Sequence, residues 1–129
     1  MIAKLNFQTG GQGLYEITDD VLKVVHSARV SEGLCTVFIK HTSASLTIQE
    51  NADPSARADL EAWLNRLVPE RDKLYTHTSE GPDDMPSHIK AILTDVSLSI
   101  PVFEGTLALG TWQGIYIWEH RKNPHRREV

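Results

Sequence analysis

One cysteine, Cys35, stands among the 129 residues. That excludes an internal disulfide and any zinc site built from cysteines alone. Long apolar runs are missing too. Leu98–Leu109 comes nearest, but Ser99, Pro101, Glu104, Gly105 and Thr106 interrupt it, well short of the ~20 residues that cross a bilayer. The opening MIAKLNFQTG has no apolar stretch of the secretory kind. Positive charge is short as well. Thirteen Lys+Arg against 17 Asp+Glu leave a net charge of −4 with His neutral, the wrong sign for a nucleic-acid platform. There is no internal repeat, low-complexity tract or linker. What remains, 40% hydrophobic and 23% charged residues, is a globular balance. The expectation is one domain over residues 1–129, cytoplasmic, with neither nucleic acid nor membrane as a partner.

Periodicity sketches the elements. Ala3, Leu5 and Phe7 alternate with Lys4, Asn6 and Gln8, predicting a half-buried strand over 2–9. After Gly10, Gly11 and Gly13 comes a short strand, Leu14–Ile17, then a helix over 19–28 that Thr18 can cap. Gly33 reads as a turn, and LCTVFIK (34–40) as a strand. Asp53-Pro54 is a strong helix start, with Asp53 as N-cap and Pro54 first in the helix. Asp84-Met85-Pro86 offers a second start, leading into Ser87–Leu93. Val96, Leu98, Ile100 and Val102 alternate, Glu104-Gly105 suits a tight hairpin, and strand character continues over Thr106–Arg121. The class is α+β, an antiparallel sheet or sandwich with packed helices.

Several polar residues do not fit such a core. His41 continues the apolar face of Cys35, Val37 and Ile39; it is either a core-edge histidine bonded to a backbone carbonyl or a ligand. His77 ends another short β-like stretch, and His88 lies near the start of the helix opened by Pro86. Three neutral imidazoles can hold a divalent ion and leave a fourth position open for water or substrate. Asp53 is accounted for by its cap. Asp84 is a loop or cap residue, or part of a site. Glu80 has no capping duty and suits a general base or a partner to a ligand. Glu119 prolongs the apolar row Ile115, Ile117, as the solvated end of a strand or as a carboxylate turned into a cleft. The basic tail that includes Arg126 is either solvated or a bidentate phosphate clamp.

These residues lie in longer stretches. KHTSASLTIQENADPSARADLE (40–61), THTSEGPDDMPSHIKA (76–91) and SLSIPVFEGTLALGTWQGI (97–115) resemble, in order, the signatures of the YjbQ family, also called the secondary thiamine-phosphate synthase family. The resemblance implies an α+β fold of its own type, a homotrimer with sites near subunit boundaries, and a divalent metal, zinc in related structures. It implies His41, His77 and His88 as metal ligands and Glu80, Asp84 and Glu119 as catalytic groups. Asn51, Asp53, Lys90, Gln113 and Arg126 are implied for substrate binding. The implied activity is a weak, secondary thiamine-phosphate synthase, joining a pyrimidine pyrophosphate to a thiazole phosphate. The chain departs from the pattern at Lys122-Asn123-Pro124-His125, where relatives carry a Gly-rich turn before their terminal arginines. That weakens Arg126 as a clamp and the expectation of a closing strand. Two alternatives stay open: a non-catalytic trimer that binds a metal or ligand, and a metal-dependent phosphohydrolase.

Overall fold

The structure, a computed structural model, describes residues 1–129. Eight strands and three helices follow the order β1 (Asn6–Thr9), β2 (Gly13–Glu16), α1 (Thr18–Ala28), β3 (Gly33–Phe38), β4 (Ala44–Glu50), α2 (Pro54–Leu67), α3 (Asp84–Leu93), β5 (Ser97–Phe103), β6 (Thr106–Leu107), β7 (Gln113–Glu119) and β8 (His125–Glu128). All pairings are antiparallel, in sheets ordered β1-β8, β2-β7-β4 and β3-β5-β6. The expected α+β class stands.

β7 organises the layers because both of its faces are apolar. Ile115 and Ile117 pack with Leu46, Ile100, Val102 and Val37, under Val21 and Val25 of α1. Tyr116 and Trp118, pointing the other way as period 2 requires, join Leu14 with Leu64 of α2 and Val68 at its C-terminal cap. The central sheet is thus covered by α1 and the β3-β5-β6 sheet on one side and by α2 on the other. No helix is long and apolar enough to cross a membrane.

Several elements differ in detail from their sequence expectations. Residues 44–50, for which no element was predicted, form the whole flank of β7, from Ala44↔Glu119 to Glu50↔Gln113. The expected run Thr106–Arg121 splits into β6 and β7. The closing strand, which the altered tail sequence had weakened, is present as β8 against β1. Thr18 does not cap α1. It is the first helical residue, its hydroxyl donates to Glu16 Oε2 and it accepts the Ile115 N–H. The hairpin forms as expected, with Glu104 and Gly105 at φ 51° and 78° joining Phe103 to Thr106.

Candidate metal centre

α3 starts earlier than Pro86 suggests. Asp83 precedes it without a side-chain cap bond, Asp84 is its first residue and Pro86 its third, a position in the first turn that has no helical N–H duty. Asp84 and His88 are therefore four apart on one face. His77 approaches from the preceding loop. Their ligand atoms, two imidazole nitrogens and one carboxylate oxygen, all lie within 4.8 Å of one another. Asp84 Oδ2 is 2.6 Å from His77 Nε2 and 3.2 Å from His88 Nε2.

The surroundings fix each ligand. His88 Nδ1 lies 3.0 Å from the Thr42 carbonyl oxygen. A carbonyl only accepts, so Nδ1 carries the hydrogen and, in the neutral ring, Nε2 presents a lone pair to Asp84 Oδ2. Two lone pairs facing each other repel; an imidazolium or a cation between them removes the conflict. A ring nitrogen bonded to a carbonyl while the other faces the ion is the usual support of a histidine ligand. Asp84 is 1% exposed. Its Oδ1 accepts from Arg121 Nη1 at 2.8 Å, leaving Oδ2 for the histidines. The same guanidinium donates through Nε to Asp83 at 3.0 Å and through Nη2 to the Glu80 carbonyl at 2.9 Å. One arginine at the end of β7 thus clamps the turn that presents the acid. Burial pushes the Asp84 carboxyl up, but the His77 hydrogen bond and the charges of His88 and Arg121 outweigh it and hold it below its ordinary value.

Two nitrogens and one carboxylate oxygen, with His77 half exposed, form a donor set that divalent transition ions accept, and its membership resembles the two-histidine, one-carboxylate set of some catalytic zinc sites. The residues present fit such an ion. A cavity of about 400 Å³ reaches His77 and is lined mostly by polar residues, among them Arg71, Tyr75 and Thr78.

His77 and His88 therefore meet as expected, but the third member is Asp84, not His41. His41 Nε2 accepts the Glu128 N–H at 2.9 Å and so docks β8. It is Thr42, the next residue, that supports the cluster through its carbonyl. Glu119 is not a cleft carboxylate. It is 1% exposed, and its oxygens accept from Thr9, Arg127 and the Arg121 N–H. Glu80 is exposed, with only its backbone engaged. Lys90 is 3% exposed and turns toward α2, donating to Asn65 Oδ1 at 2.6 Å. Asp53 caps α2 through the Ser55 N–H. Asn51 donates to Glu16, and Gln113 accepts from the Gly110 N–H. These three lie near the Gln113 end of β7, a strand of seven residues and thus about 20 Å from its Glu119 end at the usual rise. Within one chain they do not join the histidines. Arg126 is exposed and bonds Asn6 across the β1–β8 pair; the inward arginine is Arg127. Sequence reasoning left Asp83 as a loop or cap residue and Arg121 and Arg127 as undistinguished members of the basic tail, and so missed their roles. The available signal was an acidic pair, Asp83-Asp84, in need of a cation that local spacing does not supply.

The pattern of the family described as UPF0047 protein YjbQ-like matches residues 3–129. The chain is 52% identical to UPF0047 protein sll1880 of Synechocystis sp. over 121 residues, covering 94% of this chain and 82% of that protein. It is 42% identical to UPF0047 protein YjbQ of Escherichia coli O157:H7, covering 97% and 91%. Among solved structures, an uncharacterized conserved protein of the yjbq/upf0047 family from Clostridium acetobutylicum superposes with a TM-score of 0.89 at 35% identity, covering 99% and 98%.

Proposed function

From the premise that the chain belongs to the UPF0047 YjbQ-like family, we propose that it is a divalent-metal-dependent enzyme acting on phosphorylated small molecules. The reaction to assay is thiamine-phosphate synthesis from a pyrimidine pyrophosphate and a thiazole phosphate. One observation carries this reading: the Thr42 carbonyl sets the His88 tautomer so that its free nitrogen faces the Asp84 oxygen that His77 also meets. His77, Asp84 and His88 would hold the ion, zinc by the preference of this donor set. A divalent ion supplies Lewis-acid stabilisation of charge developing on phosphate oxygens as pyrophosphate leaves.

The chain's own groups have separate duties. Arg121 holds Asp84 in one orientation and keeps it ionised. Thr42 keeps the His88 ring from turning. The cavity at His77 receives the phosphorylated end of the ligand. Glu80, exposed next to the cavity-lining Gly81 and with its carboxylate unspent, takes up or returns a proton at the substrate.

The assembly we propose is a homotrimer. β3 ends its sheet with an unpaired edge, and Leu34 and Phe38 on it are more than half exposed beside an apolar groove of about 560 Å³. An open apolar edge favours association. Contacts between subunits would also give Asn51, Gln113 and Arg126 a route to a shared site.

The test is metal analysis of protein purified without chelator, with a thermal scan with and without chelator. The expected result is one ion per chain, lost in His77→Ala and Asp84→Asn, with turnover abolished by chelation and Tm little changed. Wild-type protein without metal overturns the reading. A trimer that melts on chelation indicates a structural ion instead.

A further inference from the structure

Three residues other than glycine have left-handed backbone: Arg29 at φ 54°, Arg71 at 57° and Glu104 at 51°. Two have a structural reason. Arg29 ends α1, where its N–H reaches the His26 carbonyl, and Glu104 turns the β5–β6 hairpin. Arg71 ends no helix and turns no hairpin. It lies in the loop between α2 and α3 and lines the cavity that reaches His77. A side chain in this conformation is disfavoured where glycine is free, and unexplained strain of this kind clusters at ligand sites.

The Arg71 side chain gains little inside the chain in return. Its one carboxylate neighbour, Glu70 Oε2, is 3.7 Å from Nη1, beyond hydrogen-bond reach, while the other Glu70 oxygen is held by Lys122 Nζ at 2.6 Å. Asp72, the one acid that lines the cavity, turns Oδ1 to the Leu74 N–H at 2.9 Å rather than to Arg71. The guanidinium, 76% exposed, thus makes no hydrogen bond within the chain, and its planar fork matches a phosphate in a bidentate manner. The cavity, about 400 Å³, is of small-molecule size.

We propose that Arg71 is the anion anchor of this cavity, recognising the terminal phosphate or pyrophosphate group of a small-molecule ligand whose next oxygens reach toward His77. This rests on the reading that the site takes phosphorylated ligands, and it names the residue that selects them. No bond is made or broken at Arg71; it positions the ligand.

The experiment is an NMR titration of the full-length protein with inorganic phosphate and pyrophosphate, in chelator and again with zinc. Wild type, Arg71→Gln, Arg71→Lys and Arg71→Gly are compared, with Tm recorded for each. Pyrophosphate is expected to bind wild type even in chelator, shifting residues around Arg71 and Thr78. Arg71→Gln and Arg71→Gly should weaken it at least about tenfold, and Arg71→Lys less. Arg71→Gly should also melt about 2–5 °C higher, since glycine accepts this φ freely; a folded, more stable protein that has lost the anion separates recognition from misfolding. Zinc uptake should be the same in all four. Arg71-dependent binding in a protein that takes up no zinc upholds the anchor and overturns the metal reading. Zinc uptake with pyrophosphate bound equally by wild type and Arg71→Gly overturns the anchor and leaves the metal reading standing. No binding of pyrophosphate to wild type at millimolar concentration also overturns the anchor.

Discussion

Two clusters of charge lie at the Glu119 end of β7, and they are built to opposite ends. In one, Glu119 and Arg127 face each other with side chains 0% and 3% exposed, and Thr9, Ser43 and the Arg121 N–H complete the set. Every carboxylate oxygen has donors and every charge is paired, so nothing is left to bind a ligand. In the other, Asp84 is as deeply buried, but its Oδ2 meets two imidazoles, one of them half exposed, and with His88 neutral one of those contacts sets lone pair against lone pair until a proton or a cation lies between them. The difference teaches that burial and perturbed acidity do not by themselves mark a site. Glu119 and Asp84 are both held below their ordinary values against the upward push of burial. What separates them is whether the surrounding donors are sufficient.

The largest expected effect comes from opening the closed cluster. Arg127→Met leaves Glu119 buried without its cation, and removing one partner of such a pair costs about 3–5 kcal/mol. Urea unfolding of the single variant should show that loss, and the double variant Arg127→Met/Glu119→Leu should recover much of it, because two apolar groups leave no orphan charge. If the single variant is as stable as wild type, the cluster is not closed in the sense described.

Next is the open cluster. Asp84→Asn should weaken zinc binding by two orders of magnitude or more, about 2.7 kcal/mol. Arg121→Lys, which loses the fork across Asp83 and Asp84, should weaken it about 10–100-fold, the range for a residue supporting a ligand. Competition with a chromophoric chelator measures both. His41→Ala should leave zinc affinity nearly unchanged while loosening β8, a direct reversal of what the sequence alone suggested.

That reversal shows where sequence reasoning ran out. α2 was legible because its start is local: Asp53 caps and Pro54 follows. So was the two-faced character of β7, because alternation is a property of neighbours in the chain. β4 was not legible, since Ala44, Ser45 and Thr47 dilute the alternation of Leu46 and Ile48. Ser45 is tolerated inside because two distant partners bond its hydroxyl, His120 at 2.8 Å and Thr94 at 2.6 Å, 75 and 49 residues away. The pair His77 and His88 was found by residue type. Asp84 could not be told from a cap, nor His41 from a ligand, because the deciding partners, Arg121 and Glu128, lie 37 and 87 residues distant.

A smaller effect distinguishes the clusters from the core by pH. Burial lowers His120 to about 3, reinforced by Lys90 and Arg127. The unfolded chain takes a proton near pH 6.5 and the folded chain does not, so stability is full above that value and falls as pH drops toward 3. For His120 alone the loss between pH 7 and 5.5 is on the order of 1 kcal/mol. His41, also lowered, chiefly by burial, adds in the same direction. Glu119, Asp83 and Asp84 contribute only at lower pH, where their depressed folded values keep them ionised after the unfolded carboxyls have protonated, so their stabilisation too is lost on acidification. Urea unfolding at the two pH values should show the drop in wild type and a shallower one in His120→Gln. Equal slopes would mean that His120 is not held neutral.

The smallest effect is expected at Asp53, and it sharpens the comparison by supplying a carboxylate that belongs to neither cluster. Its Oδ1 accepts the Ser55 N–H at 2.9 Å in the open, and Pro54 relieves the first helical position of any donor. Asp53→Ala should lower Tm by about 2–4 °C, and Asp53→Ser should restore most of it, because a hydroxyl caps as well as a carboxylate does. Zinc uptake and pyrophosphate binding should be the same in all three proteins if Asp53 acts only through its helix. A selective loss of pyrophosphate binding in Asp53→Ser, with Tm restored, would instead place this end of β7 at the ligand, and the route would have to run across a subunit boundary, because within one chain about 20 Å of strand lies between.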